Sequence, residues 1–351
     1  MPKENPIRGR GSSDNPPNRF TDEYVDYDLD EETGRKPSPK TKLIRDHTKN
    51  ILSTNQSPDI PFTYSINPYR GCEHGCIYCY ARPTHEFLGY SAGKDFESRI
   101  VVKYDAAKKL RKKFNTKGWE PETIVMSGVT DPYQPIERDL RITRACLMVF
   151  EEFLNPVSII TKNYLVTRDI DILKKLAEHN AVHVTLSVTT LYRDLARVME
   201  PRTSQPGRRL EAIKKLSDNG ISVGVNVAPI IPGLTDHECV NILEAAKEAG
   251  AQYAGYTIVR LPYGVKNLFV NWLEQHFPDR KDKVLNRIKS IRDGDLNDAT
   301  FGKRFRGEGV FAEQIRNLFK INKERLGFDS GRNSLNAEDF RPGKGTQLKL
   351  F

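Results

Sequence analysis

Cys72, Cys76 and Cys79 stand in the stretch Gly71-Cys72-Glu73-His74-Gly75-Cys76-Ile77-Tyr78-Cys79-Tyr80, separated by three residues and then by two. Thiolates are soft ligands suited to iron–sulfur clusters and to zinc. A cube of four irons needs one ligand per iron, and this loop offers three thiols, which leaves one iron open to something that is not protein. Two plainer readings stand beside that one. His74 lies inside the loop, so a Cys3His zinc site is formally available, although no second CxxC or HxxxH follows. The thiols can also be a chance cluster in a globular core.

Other polar groups close hydrophobic runs. Ser127, Thr130 and Asp131 in Ser127-Gly128-Val129-Thr130-Asp131-Pro132-Tyr133-Gln134-Pro135 suit hydrogen bonding to an ammonium, with two prolines fixing the loop. Capping of a following helix by Thr130 or Asp131 is the ordinary alternative. Lys162 ends one run, Ser187, Thr189 and Thr190 another, Ala228 sits late in a third, and Arg260 closes a fourth. Arg260 suits a substrate anion or equally a structural carboxylate.

These positions become neighbours only if the runs are strands of one sheet. Hydrophobic patterning predicts strands at 64–70, 123–127, 157–161, 182–188, 221–231 and 253–261. Helices are predicted at 106–114, 141–154, 170–179, 210–219 and 236–249, the fourth stopped by Gly220 and the last by Gly250. Alternation of this kind implies parallel pairing and right-handed crossovers. In such barrels the chemistry belongs at the C-terminal strand ends, where the cysteine loop would also fall.

The chain has 351 residues, room for a large core. Residues 1–58 are rich in Pro, Gly, Ser and mixed charge, as in Gly9-Arg10-Gly11-Ser12-Ser13, and read as a disordered leader. Ordered structure is expected from near Phe62, a barrel over 59–265, a helical extension over 266–328 and a flexible basic tail over 329–351. The extension's helices are predicted at 269–276, 282–291 and 311–326. Net charge is +9, with 17 Lys+Arg against 11 Asp+Glu in residues 279–351. That excess admits an anionic partner. No run of about 18 apolar residues occurs, and Met1-Pro2-Lys3-Glu4-Asn5-Pro6 lacks an apolar signal core; a cytoplasmic protein is expected, with no membrane partner.

The cysteine spacing, with aromatic Tyr78 before the last cysteine, resembles the signature of the radical SAM superfamily. The resemblance implies an α/β fold, a partial (β/α)6 barrel, and a [4Fe-4S] cluster on Cys72, Cys76 and Cys79. It also implies S-adenosylmethionine on the open iron and an external electron donor. Tyr78, Ser127, Thr130, Asp131, Lys162, Ser187, Thr189 and Ala228 are then candidate cofactor-binding residues. Lys162 would meet the cofactor carboxylate, the hydroxyls its ribose or carboxylate, and Ala228 its adenine side. The segment around Thr130 and Asp131 resembles the spore photoproduct lyase branch, where a cysteine returns hydrogen to the product radical. The matching place here is Gly128, so that relay is not implied. Arg82-Pro83-Thr84-His85-Glu86-Phe87-Leu88-Gly89, with Asp95-Phe96-Glu97, looks like an uncharacterised bacterial group near that branch, with 85–89 as a substrate lid or a solvated connector.

The chain ends Gln347-Leu348-Lys349-Leu350-Phe351. Gln-Leu-x-Leu-Phe resembles the pentapeptide by which bacterial polymerases and repair factors dock on the sliding clamp, so Gln347, Leu348, Leu350 and Phe351 are candidate partner-binding residues. A clamp partner implies DNA as substrate, with the base flipped into the barrel mouth and Lys303, Arg304 and Arg306 on phosphates. RNA, a peptide or a small molecule is the alternative substrate, and a non-catalytic metal module the alternative function.

Overall fold

The computed structural model describes residues 6–21, 40–329 and 334–342. Six parallel strands form the main sheet in chain order: β1 Tyr64–Ile66, β2 Ile124–Met126, β3 Val157–Thr161, β4 Val182–Val188, β5 Val223–Ile230 and β6 Tyr253–Ile258. An antiparallel strand, Leu52–Thr54, extends the β1 edge. At the β6 edge, Ile258 N–H donates to Phe305 O at 2.9 Å, so a loop of the C-terminal extension covers that edge. Helices Ile142–Phe153, Ile170–Glu178, Pro206–Asp218 and Cys239–Glu248 supply the crossovers.

The period of β4 explains how one sheet serves both a core and a site. Val182, Val184, Leu186 and Val188 enter the apolar core. His183, Thr185, Ser187 and then Thr189 alternate with them and are buried on the other face. A strand buried on both faces would ordinarily be apolar throughout; here the second face is polar because it lines the barrel interior.

The six-strand expectation is met, and strand and helix ends agree within a few residues. One expected strand is corrected. Residues 64–70 split at Asn67-Pro68, and Tyr69–Arg70 joins a second sheet with Lys42–Arg45 and Arg99–Val102. Proline has no N–H for the ladder and restricts the residue before it. Residues 42–45 and 52–54 are strands and Ile7, Arg10, Ser12, Ser13 and Asn18 are buried, so ordered structure does not wait until Phe62.

The extension forms helices Val265–His276, Pro278–Ser290 and Val310–Arg325, and no helix among the described residues is long and apolar enough to cross a membrane. The expected tail is also corrected over 334–342. Asn336 N–H donates to Asn180 O and Arg341 N–H to Phe153 O, and the Phe340 ring lies 6.1 and 6.2 Å from those of Phe114 and Phe153. Asn180 and Phe153 precede β4 and β3, so this strap crosses the base of the barrel. Phe340→Ala should lower the unfolding free energy by about 1–3 kcal/mol, less than a fully buried phenylalanine would, in urea titration, with iron uptake unchanged.

Candidate functional site

Arg82 fixes the path of the cysteine loop. Its fully buried guanidinium donates to Cys76 O at 3.0 Å, Gly75 O at 3.3 Å, Ala92 O at 3.1 Å and Gly93 O at 2.9 Å, and pairs with Glu97. Glu97 in turn accepts from the N–H groups of Gly11 and Ser12, both at 3.0 Å. The leader thus lies on the loop backbone to backbone. A Cβ on Gly11 would fall 1.7 Å from Gly75 O, and Gly75 itself has φ +67°, so neither place admits a side chain. Cys72 N–H donates to Phe96 O at 2.9 Å, which ties the loop to the short helix Lys94–Ser98.

The three thiols are a soft donor set of the kind that would hold an iron–sulfur cluster. Cys72 and Cys76 are buried and Cys79 half-buried. Burial pushes all three thiols up, and Cys72 also carries the influence of Asp131, Cys76 and Cys79. A metal must therefore displace their protons. Among the described residues no three His, Cys, Asp or Glu side chains converge on one ion position. His74 is not a spare ligand, because Nε2 meets Asn163 Nδ2 at 3.1 Å and Nδ1 meets Asp131 Oδ2 at 3.4 Å. Cys146 and Cys239 are buried on core helices, so no fourth thiol joins the loop.

Thr130 and Asp131 hold this loop. Thr130 Oγ1 donates to Gly71 O at 2.6 Å. Asp131 accepts from Tyr133 N–H at 2.8 Å, Thr161 Oγ1 at 2.7 Å and Lys162 N–H at 2.8 Å. Burial works to raise its carboxyl, but His74, Thr161 and the Lys162 amide outweigh it and hold the group below its ordinary value. Ser127 Oγ reaches Thr130 O at 3.3 Å. Gln134 and Glu73, absent from the sequence reading, complete the brace: Glu73 N–H donates to Gln134 Oε1 at 2.9 Å, and Ile136 N–H to Glu73 Oε2 at 2.7 Å.

Lys162, Thr189, Tyr78 and Ala228 do come together, around a residue the sequence reading missed. Lys162 Nζ lies 2.9 Å from Thr189 Oγ1, 2.9 Å from Ala228 O and 3.0 Å from Glu200 Oε1. An ammonium has three donors, and here each faces a protein acceptor. Glu200 is buried and also accepts from the Tyr78 hydroxyl, Thr189 Oγ1 and Arg209. Burial works to raise its carboxyl, and Arg209 followed by Lys162 more than offsets this and holds it ionised. Arg209 reaches Ser187 O at 3.0 Å, which brings Ser187 into the same web through its backbone. Glu200 follows the helix Arg193–Met199 in no recognisable motif; a lysine at a buried strand end, needing a counter-charge, was the available signal. Thr190 lies outside this web, donating to Glu238 at 2.7 Å.

Tyr80 is exposed, and its hydroxyl donates to Gly128 O at 2.7 Å. The Arg260 guanidinium lies 5.4 Å from the Tyr80 ring centre and 4.8 Å from that of Phe305. Arg19 lies 3.7 Å over Tyr263 and pairs with Glu86 at 2.7 Å, and exposed Phe20 stacks on exposed Phe87 at 4.9 Å. Residues 85–89 belong mostly to the short helix Arg82–Leu88 with His85 and Glu86 buried, so they are neither a solvated connector nor a free lid. Arg304 pairs with Asp59, Arg306 covers the Tyr256 ring at 3.9 Å, and Lys303 pairs with Glu308 at 2.7 Å. Gln347, Leu348, Leu350 and Phe351 lie outside the described residues.

A family model described as Radical SAM superfamily matches residues 66–246. An uncharacterized protein of Mycobacterium tuberculosis (strain ATCC 25618 / H37Rv) is 34% identical over 224 residues, 63% of this chain and 65% of that protein. The chain thus spans about 65% of the length of its mycobacterial relatives. An uncharacterized protein of Methanocaldococcus jannaschii is 32% identical over 71% of this chain and 88% of its own length. A Pseudomonas phage M6 protein named radical SAM Nalpha-GlyT isomerase is 23% identical over 63% of this chain and 44% of its own. Among solved structures, a spore photoproduct lyase mutant with bound AdoMet and dinucleoside spore photoproduct shares the fold at TM-score 0.57 and 18% identity, covering 82% of this chain and 80% of that one.

Glu97→Gln leaves the Arg82 charge buried without its partner and should cost about 3–5 kcal/mol in urea titration, with less iron retained per chain. Burial pushes His85 down to about 4, against a weaker upward pull from Asp95. Its ring nitrogens have no hydrogen-bond partner. The unfolded chain therefore binds the extra proton between about pH 6.5 and 4, so stability falls as pH falls through that window. His85→Gln should flatten that part of the curve, read by thermal melts across pH.

Proposed function

Because the chain belongs to the radical SAM superfamily, we propose that it is an iron–sulfur enzyme that repairs or modifies a base in DNA. Cys72, Cys76 and Cys79 would hold the [4Fe-4S] cluster, with S-adenosylmethionine on its open corner. When bound and given one electron by an external donor, the pair supplies a 5′-deoxyadenosyl radical for taking a hydrogen atom from the substrate. The chain's own part is positioning and exclusion. Arg82 and Glu97 set the loop carbonyls, and Tyr78, Lys162, Thr189 and Glu200 form a closed polar floor beside the thiols.

The observation that carries the DNA reading is the rim beside that floor. Exposed Tyr80 lies 5.4 Å from the Arg260 guanidinium, and exposed Tyr263 and Phe20 lie 3.7 and 5.1 Å from that of Arg19, which also pairs with Glu86 at 2.7 Å. Aromatic faces beside cations suit unstacked bases and their phosphates, at about 1–3 kcal/mol per stacked base. A base in duplex must leave the stack to reach such a mouth. The dinucleoside in the spore photoproduct lyase structure supports the same substrate class. Docking of Gln347, Leu348, Leu350 and Phe351 on the sliding clamp is the recruitment part of the proposal and rests on their sequence pattern alone.

Anaerobic reconstitution with reductant and S-adenosylmethionine tests the reading. Iron and sulfide should load, Cys76→Ala should abolish loading, and damaged DNA should raise 5′-deoxyadenosine release at least several-fold. Release indifferent to every oligonucleotide would sink the DNA assignment while leaving the cluster intact. Removing residues 347–351 should abolish affinity for the clamp in a pull-down; undiminished capture would remove the recruitment role.

A further inference from the structure

Arg260 differs from the other inward arginines of this chain. Arg82 is paired with Glu97, Arg209 with Glu200, Arg168 with Glu137 and Asp169, and Arg304 with Asp59. Arg292, buried without a carboxylate, donates to Val259 O at 2.9 Å and Lys303 O at 3.1 Å. Arg260 has neither kind of partner among the described residues. Its Nε is buried and unbonded, and its guanidinium rests between the Tyr80 and Phe305 rings. The acid that influences it, Asp59, is already held by Arg304 through Nε at 2.8 Å and through Nη2. Arg260 is half-buried, and a guanidinium drawn partly out of water with no counter-charge and an unbonded Nε loses hydration that nothing in the chain replaces. Holding one at the C-terminal end of β6 makes sense if an incoming ligand supplies the anion.

We propose that Arg260 is a substrate-binding residue that takes a phosphodiester of the nucleic-acid substrate, one residue's reach from the cluster loop. The placement decides between anions. Tyr80 directly follows Cys79, and its ring is fixed by the hydroxyl bond to Gly128 O, so the guanidinium, 5.4 Å from the ring centre, is held at a fixed distance from an aromatic group next to the cluster loop. An Arg fork matches phosphate oxygens in two parallel bonds. This inference rests on the nucleic-acid reading above and names the residue that would discriminate for it.

The test is the salt dependence of binding by the reconstituted protein, measured by fluorescence anisotropy between 50 and 200 mM salt. Labelled single-stranded DNA, duplex DNA and RNA are separate arms. Each phosphate contact contributes about 0.7 to the log–log slope for a single strand and about 0.9 for a duplex. Arg260→Gln should reduce the slope by about that amount and weaken binding about tenfold at low salt. Arg260→Lys should keep the slope with poorer affinity, and Arg316→Gln, on an exposed helix face, should match the unaltered chain. On that unaltered chain, butanedione modification of Arg260, mapped by mass spectrometry, should slow when the oligonucleotide is saturating. A normal slope for Arg260→Gln, or undiminished modification, overturns the subsite alone. Failure of the unaltered chain to bind any oligonucleotide overturns the subsite and the DNA reading together.

Discussion

The buried ion pair between Arg82 and Glu97 is the joint on which the cysteine loop and the N-terminal segment both hang. One side of the pair gathers the carbonyls of Gly75, Cys76, Ala92 and Gly93, and the other gathers the amides of Gly11 and Ser12. Loop carbonyls turned inward at this depth have no water to bond, so one guanidinium satisfying four of them removes a cost that would otherwise fall on the fold. A buried ion pair of this sort adds little net stability against an apolar replacement. Its use here is conformational, because it allows a single path for a loop whose thiols must share one space.

A second constraint is the two-faced character of β4 and its neighbours. The apolar face builds the core against the helices, and the polar face brings Thr189 to Lys162 and Glu200. Within that interior each charge is answered by another: Lys162 by Glu200, Glu200 by Arg209, Asp131 by amides and His74. The web closes on itself around fully buried Glu200 and Arg209, which preserves its geometry. Arg260, at the rim, stands outside this accounting of charges, and that contrast makes it informative.

Most strands were legible within a few residues because they are short apolar runs rich in Val and Ile between turn-formers, and the thiol loop because its spacing is chemically restrictive. The meeting of Lys162, Thr189 and Ala228 was legible because the ends of neighbouring parallel strands converge by topology. Glu200 and Arg209 were not, because a buried carboxylate reads like a surface one until its partners are in place. The N-terminal segment misled for a related reason. Its composition is that of a chain unable to form its own core, yet Gly11, Ser12 and Asn18 need only hydrogen-bonding edges that others provide. Thr130 and Asp131 stand after β2 as expected, and the hydrogen bonds they make with Gly71, Thr161 and Lys162 became legible only in the structure.

The strap at 334–342 has a consequence for how the molecule can be held. Its bonds to Asn180 and Phe153 set it at the strand beginnings, while the thiols and the arginine rim stand at the strand endings. The two poles are separated by the full depth of the sheet. A grip applied next to Pro342 would therefore take the enzyme from behind and leave its aperture facing forward, so being tethered and being open need not compete.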